Sequence, residues 1–226
     1  MRRSLVVSLA LLAVVNAPAV AQTCQGLASF TSGKMQVAGN GQFTEGANRF
    51  GAGFSYGLPA NIYGGAQLST TSFDGADASS IGIGANLGYQ LALGKSADLH
   101  VCPVASLELG MGPDSEASPG NPAVDRSTRE INMGFSIGKA MGSTPRMQIV
   151  PAAGLGLRNL KATEDDVSFS DTHGLARLGV GFIFNQQIAV RPSVDIPLGL
   201  EGSDPTFGLT VAYSFGSRHP APARRR

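Results

Sequence analysis

The chain has 226 residues, 42% of them hydrophobic, with 30 glycines, no tryptophan and a formal net charge of +1. That length is ample for one all-β domain and thin for two. Only 15% of the residues are charged, well under the quarter usual in a soluble domain, and a surface that partly meets lipid accounts for the deficit.

Residues 1–21 have the layout of a secretory signal peptide. Met1-Arg2-Arg3 is basic, Leu5–Val15 is apolar, and Ala19-Val20-Ala21 is a small-residue cleavage site. The apolar run is too short to span a membrane. Thr23 precedes Cys24, where a lipoprotein would need a small residue. Residues 22–33 form an N-terminal segment expected in the periplasm. No later run of about 18 apolar residues exists, so a spanning helix is excluded and any membrane role must use strands. In an exported chain, nucleic acid is an implausible partner.

The body, residues 34–216, reads as ten strands at about 34–43, 48–58, 60–72, 79–93, 98–111, 128–141, 146–160, 173–185, 187–199 and 206–216. The connections alternate. GLPAN, LGKSAD, MGSTPR and FNQQ are short. TEGAN, SFDGADASS, MGPDSEASPGNPAVDRS, LKATEDDVSFSD and LEGSDP are generally longer and acidic. Short turns at one end and long loops at the other are the layout of an outer-membrane barrel.

RFGAGFSYGLP, IGIGANLGYQL, NMGFSIGKAMG and RLGVGFIFNQ place glycines at alternate positions, which suits a narrow, crowded barrel interior. Pro103, Pro151 and Pro192 each fall just inside a strand. Proline cannot donate to a ladder, so each is expected to cost a backbone hydrogen bond or to mark a bulge near a rim.

In TFGLTVAYSFG the side chains Phe207, Leu209, Val211, Tyr213 and Phe215 alternate with Thr206, Gly208, Thr210, Ala212 and Ser214. One face is apolar throughout and the other is small and polar. A soluble β-sandwich also alternates, but its strands typically run five to six residues, whereas alternation here persists for about ten, the length needed to cross a bilayer. With the signal peptide, the hairpin rhythm and the terminal YSFG, the chain resembles the small outer-membrane β-barrel proteins of the OmpA/OmpX/OmpW-like kind. The resemblance implies an all-β fold: an antiparallel transmembrane up-and-down barrel of ten strands, with eight as the alternative. It also implies export to the bacterial outer membrane, contact with membrane lipid and lipopolysaccharide, and a final strand ending in the aromatic Phe215 that the barrel-assembly machinery reads.

Alternation directs His100, Glu108, Glu130, Arg158, Arg177, Arg191 and Asp195 into the lumen, where charges must pair. They read either as a structural plug of ion pairs or as a selectivity lining. Glu45, Asp74, Asp77, Asp114, Glu116, Asp125, Glu164, Asp165, Asp166, Asp171, Glu201 and Asp204 fall in the outer loops. Such loops are a solvated surface, a divalent-cation bridge to lipopolysaccharide, or an anion-repelling mouth.

His173 beside Asp171, with Ser168 and Ser170 near, is the one candidate for catalysis, and no nucleophile motif accompanies it. No catalytic residue, cofactor or metal site is assigned. Cys24 and Cys102 are expected to form a disulfide in an oxidising compartment, which would draw the N-terminal segment into the barrel mouth as a partial cork. Free thiols or bonds between molecules are the alternatives. Residues 217–226 form a basic, proline-rich tail expected to be disordered. A monomer with a structural or narrow passive-pore role follows, with ligand binding or adhesion through the outer loops as the alternative and an outer-membrane hydrolase as a lesser one.

Overall fold

The computed structural model describes residues 24–28, 32–74, 79–93, 99–112, 126–144, 146–164, 167–200 and 203–216. Residues 1–21, expected to be a signal peptide, the basic tail 217–226 and seven of the acidic loop positions (Asp77, Asp114, Glu116, Asp125, Asp165, Asp166 and Glu201) lie outside them.

Ten antiparallel strands close into a barrel. They are β1 (Lys34–Thr44), β2 (Ala47–Gly57), β3 (Ile62–Phe73), β4 (Ser79–Tyr89, continued by Leu91–Leu93) and β5 (Leu99–Met111). They continue as β6 (Arg126–Lys139, extended by Met141–Thr144), β7 (Met147–Glu164), β8 (Val167–Phe184), β9 (Ile188–Leu198) and β10 (Thr206–Gly216). Each pairs with its sequence neighbours, and β10 closes on β1 from Lys34↔Gly216 to Phe43↔Phe207. Closure leaves no strand edge to be satisfied by solvent, the condition for sheet structure in hydrocarbon.

Of the connections expected as outer loops, one is a tight turn and another is mostly strand. TEGAN contains a hairpin in which Thr44 pairs with Ala47 across Glu45-Gly46, and Gly46 takes φ +79, a conformation open to glycine. LKATEDDVSFSD is mostly strand: β7 and β8 are 18 residues each and run on to Glu164↔Val167. Glu164 and Asp171 therefore sit on a projecting hairpin. β-branched Thr163, Val167 and Thr172, with Phe169, favour extended backbone there.

The three prolines do not create bulges. Gly88↔Val104 and Leu91↔Val101 share one register, and pairing is interrupted only between them, opposite Pro103. The same gap falls between Gly138↔Ala152 and Met141↔Ile149 at Pro151, and between Gly179↔Ser193 and Phe182↔Val190 at Pro192. Each proline removes a ladder donor facing the preceding strand, and the ladder resumes in phase. At the first gap the Gln90 N–H turns to the Asn61 carbonyl at 2.9 Å.

Side-chain alternation holds through the barrel. On β6 the outward residues from Arg129 to Lys139 are Ile131, Met133, Phe135 and Ile137, with Met133 60% and Phe135 50% exposed. The two cations are ten residues apart. At about 3.3 Å per residue and a tilt near 40°, that is a rise of roughly 25 Å, the height of the apolar band of a membrane barrel. On β10, Phe207, Leu209, Val211, Tyr213 and Phe215 lie on the outer face, while Thr210, Ala212 and Ser214 are buried inside.

Val211→Arg, near the middle of β10, is expected to cost about 2–4 kcal/mol of folding stability in lipid vesicles. Denaturant titration measures it. A variant as stable as the parent would contradict the assigned outer face.

Candidate functional site: the corked lumen

A disulfide joins Cys24 to Cys102 of β5, and both residues are fully buried. It closes a loop of sequence separation 78, for which chain-entropy arguments give about 4 kcal/mol. The bond holds residues 24–28 inside the barrel, at the end where Lys34 and Gly216 meet. Leu27 and Ala28 pack into an interior apolar cluster with Val150, Ile183, Ala189 and Ala212. Tyr63 of β3 and Val104 pack against the disulfide.

Polar contacts latch the same segment. Gln25 Nε2 donates to Tyr63 Oη at 2.9 Å, and Arg191 Nη1 donates to the Gln25 carbonyl at 2.7 Å. Arg191 Nη2 also donates to Thr210 Oγ1 at 3.3 Å, while its Nε is buried without a hydrogen-bond partner among the described residues. Gly26 turns with φ +69 against Gly181 of β8, and a Cβ at Gly181 would run into the Gly26 carbonyl. The glycine face of β8 thus makes room for the cork.

The structure divides the seven lumen residues singled out in the sequence. Glu108 and Glu130, register partners on β5 and β6, are drawn together by Arg49 of β2, which pairs with Glu108 and lies 3.7 Å from Glu130. Arg158 pairs with Glu130 at 3.3 Å, and Gln67 and Ser69 donate to Glu108 at 2.6 and 2.8 Å. Arg177 and Asp195 form a separate bidentate pair at 2.6–2.7 Å, the strong fork geometry of guanidinium on carboxylate. Arg191 serves the cork, and His100 hydrogen-bonds Gln90 at 3.0 Å beside the disulfide strand.

Arg49 escaped the sequence reading. It shares the inward phase of Gly51 and Gly53, but it stands almost at the start of its strand, where alternation has no room to show. Gln25 and Leu27 precede the first strand and carry no periodic signal.

These groups surround a cavity of about 310 Å³, bounded on one side by Cys24, Gln25 and Leu27. Carboxylates are matched with guanidinium groups, so the lining is a set of satisfied pairs of both signs.

His173 Nδ1 lies 2.6 Å from Asp171 Oδ2. Both have odd numbers on β8 and share a face, whereas Ser168 and Ser170 fall on the other. Ser170 contacts Asn159, and Ser168 contacts Thr163. Strand alternation separates this His–Asp pair from those hydroxyls, so they do not assemble a nucleophile and its base.

Gly181→Val is expected to form the barrel but to prevent the Gly26 turn from docking, leaving most molecules with free Cys24 and Cys102. Heat-modifiable migration and non-reducing mass spectrometry check the two halves. Complete disulfide formation in this variant would contradict the packing described.

No family model matches the chain, and no curated protein is similar to it. Solved structures are. The β domain of the Bordetella autotransporter BrkA has a TM-score of 0.51 at 15% identity, covering 82% of this chain and 100% of its own. The translocator domain of the autotransporter NalP from Neisseria meningitidis has a TM-score of 0.48 at 12% identity, covering 80% of this chain and 87% of its own. The N-terminal β-barrel domain of Pseudomonas aeruginosa OprF has a TM-score of 0.36 at 15% identity, covering 81% and 98%. At these identities the likeness is one of fold. With its closed ten-strand sheet, outward apolar band and polar lumen, the chain has the porin-like fold of the outer-membrane β-barrels.

Proposed function

We propose that the protein is a plugged structural barrel of the bacterial outer membrane. The carrying observation is the disulfide-tethered segment 24–28, which occupies the lumen beside satisfied ion pairs. A passive pore needs a continuous polar path. Here Leu27 and Ala28 of that segment cluster with Val150, Ile183, Ala189 and Ala212 inside one end of the barrel, which supports a plugged rather than an open lumen. In this reading the exported chain is inserted by the assembly machinery through the aromatic end of β10. It functions as a monomer, in contact with membrane lipid and lipopolysaccharide.

A second reading, ligand capture at the outer end, is favoured by the projecting hairpin. Its lumen-side face carries Val167 and Phe169, 55% and 66% exposed. Exposed apolar side chains on a sheet raised beyond the apolar band are suited to contact another molecule.

Planar-bilayer recording of the refolded, oxidised protein tests the first reading. The expected trace has no steady single-channel steps. Steady steps from the oxidised protein would overturn the plugged barrel in favour of a pore.

A further inference from the structure

On the projecting hairpin the polarity of the two faces inverts. Within the apolar band the outward side of β6–β8 carries Phe135, Leu155, Met133 and Leu157, all at least half exposed. Beyond Leu157 the outward rows become polar. Ile131–Asn159–Thr172, still apolar at Ile131, comes first, Arg129–Lys161–Ser170 follows, and Ser127–Thr163–Ser168 is outermost.

Arg129 and Lys161 are direct register partners on one face. Like charges placed directly opposite across strands are destabilising unless something compensates them. Among the described residues neither forms an ion pair. The neighbouring carboxylates are engaged elsewhere: Glu130 with Arg49 and Arg158, Glu164 with Arg126, and Asp171 with His173. Arg129 Nη2 makes only a long contact, 3.5 Å, to Asn159 Oδ1. The Asn159 amide is held by Thr172 Oγ1 at 2.8 Å and Ser170 Oγ at 3.4 Å. Among the described residues, two cations without an ion-pair partner therefore stand side by side on a braced polar shelf, immediately above an apolar wall.

We propose that this shelf binds the phosphate of a phosphorylated, acylated glycolipid of the outer leaflet. Arg129 offers a planar fork matched to phosphate oxygens and Lys161 a second positive charge. The acyl chains lie down the wall of Leu107, Met133 and Leu157, and the hydroxyl row Ser127–Thr163–Ser168 faces the saccharide portion. The depth is right: Lys139 marks the opposite rim of the band, roughly 25 Å away. The proposal rests on the membrane-barrel reading and names one lipid contact within it.

The test is native mass spectrometry of the full chain refolded in neutral detergent with bisphosphorylated lipid A. The comparison is between the parent, Arg129→Gln/Lys161→Gln, and Lys139→Gln as a variant at the other rim. Each cation near a charged lipid surface contributes on the order of fivefold, so the double variant should bind lipid A about twenty-fivefold more weakly. Lys139→Gln should retain as much as the parent. Dephosphorylated lipid A should bind the parent as weakly as lipid A binds the double variant, and millimolar inorganic phosphate should not displace the lipid. Equal retention by parent and double variant would overturn the proposal. So would displacement by inorganic phosphate, which would make the shelf a site for free anions. Heat-modifiable migration of all three proteins separates loss of the shelf from failure of the barrel itself.

Discussion

Every backbone donor and acceptor in hydrocarbon must find its partner within the protein, because no water is there to take its place. The ring of strands meets that constraint by pairing β10 with β1. Closure fixes the rest. A ten-strand ring has an interior narrow enough that bulky side chains cannot point inward at every level, so glycines recur on the inner face. At Gly134 and Gly156 an added Cβ would collide with the neighbouring backbone. On β8 the space that Gly181 spares is taken by the Gly26 turn of the cork. The prolines show the limits of the same constraint: three ladder donors are missing, yet the register passes each gap unchanged.

The lumen obeys a related rule at the level of charge. A carboxylate in a low-dielectric tube is costly unless a cation is at hand, and the register places one beside each. Glu108 and Glu130 face each other, an arrangement that Arg49 and Arg158 make tolerable from either side. Arg191 is the exception. Among the described residues it has no carboxylate within ion-pair reach and turns to a carbonyl of the cork, so the segment that fills the barrel also supplies that guanidinium with an acceptor.

Much of this was legible in the sequence. Period-two alternation places all ten strands and gives the phase of β10, and the two cysteines suggest the cork. What alternation could not reveal lies where it has no reach. The segment from Leu160 to Asp171 reads as a loop because its acidic run and serines are typical of loops, while the inverted polarity of its two faces hides the continuing strands. The partners of Glu108 and Glu130 were only half visible, since Arg49 stands at a strand end. The contacts of Gln25 and Leu27 come from tertiary packing of a segment that has no period.

One alternating strand sees hydrocarbon on one side, a polar lumen on the other, and headgroups at both ends. Nitroxide labels placed singly along β6 from 129 to 139 test it most directly, by relaxation with oxygen and with a water-soluble nickel chelate in lipid vesicles. Oxygen accessibility is expected at 131, 133, 135 and 137, greatest at 133 and 135, with low values between them. Nickel access on the outward positions should appear only at 129 and 139. Nickel access at 133 or 135, or accessibility without a two-residue period, would contradict it.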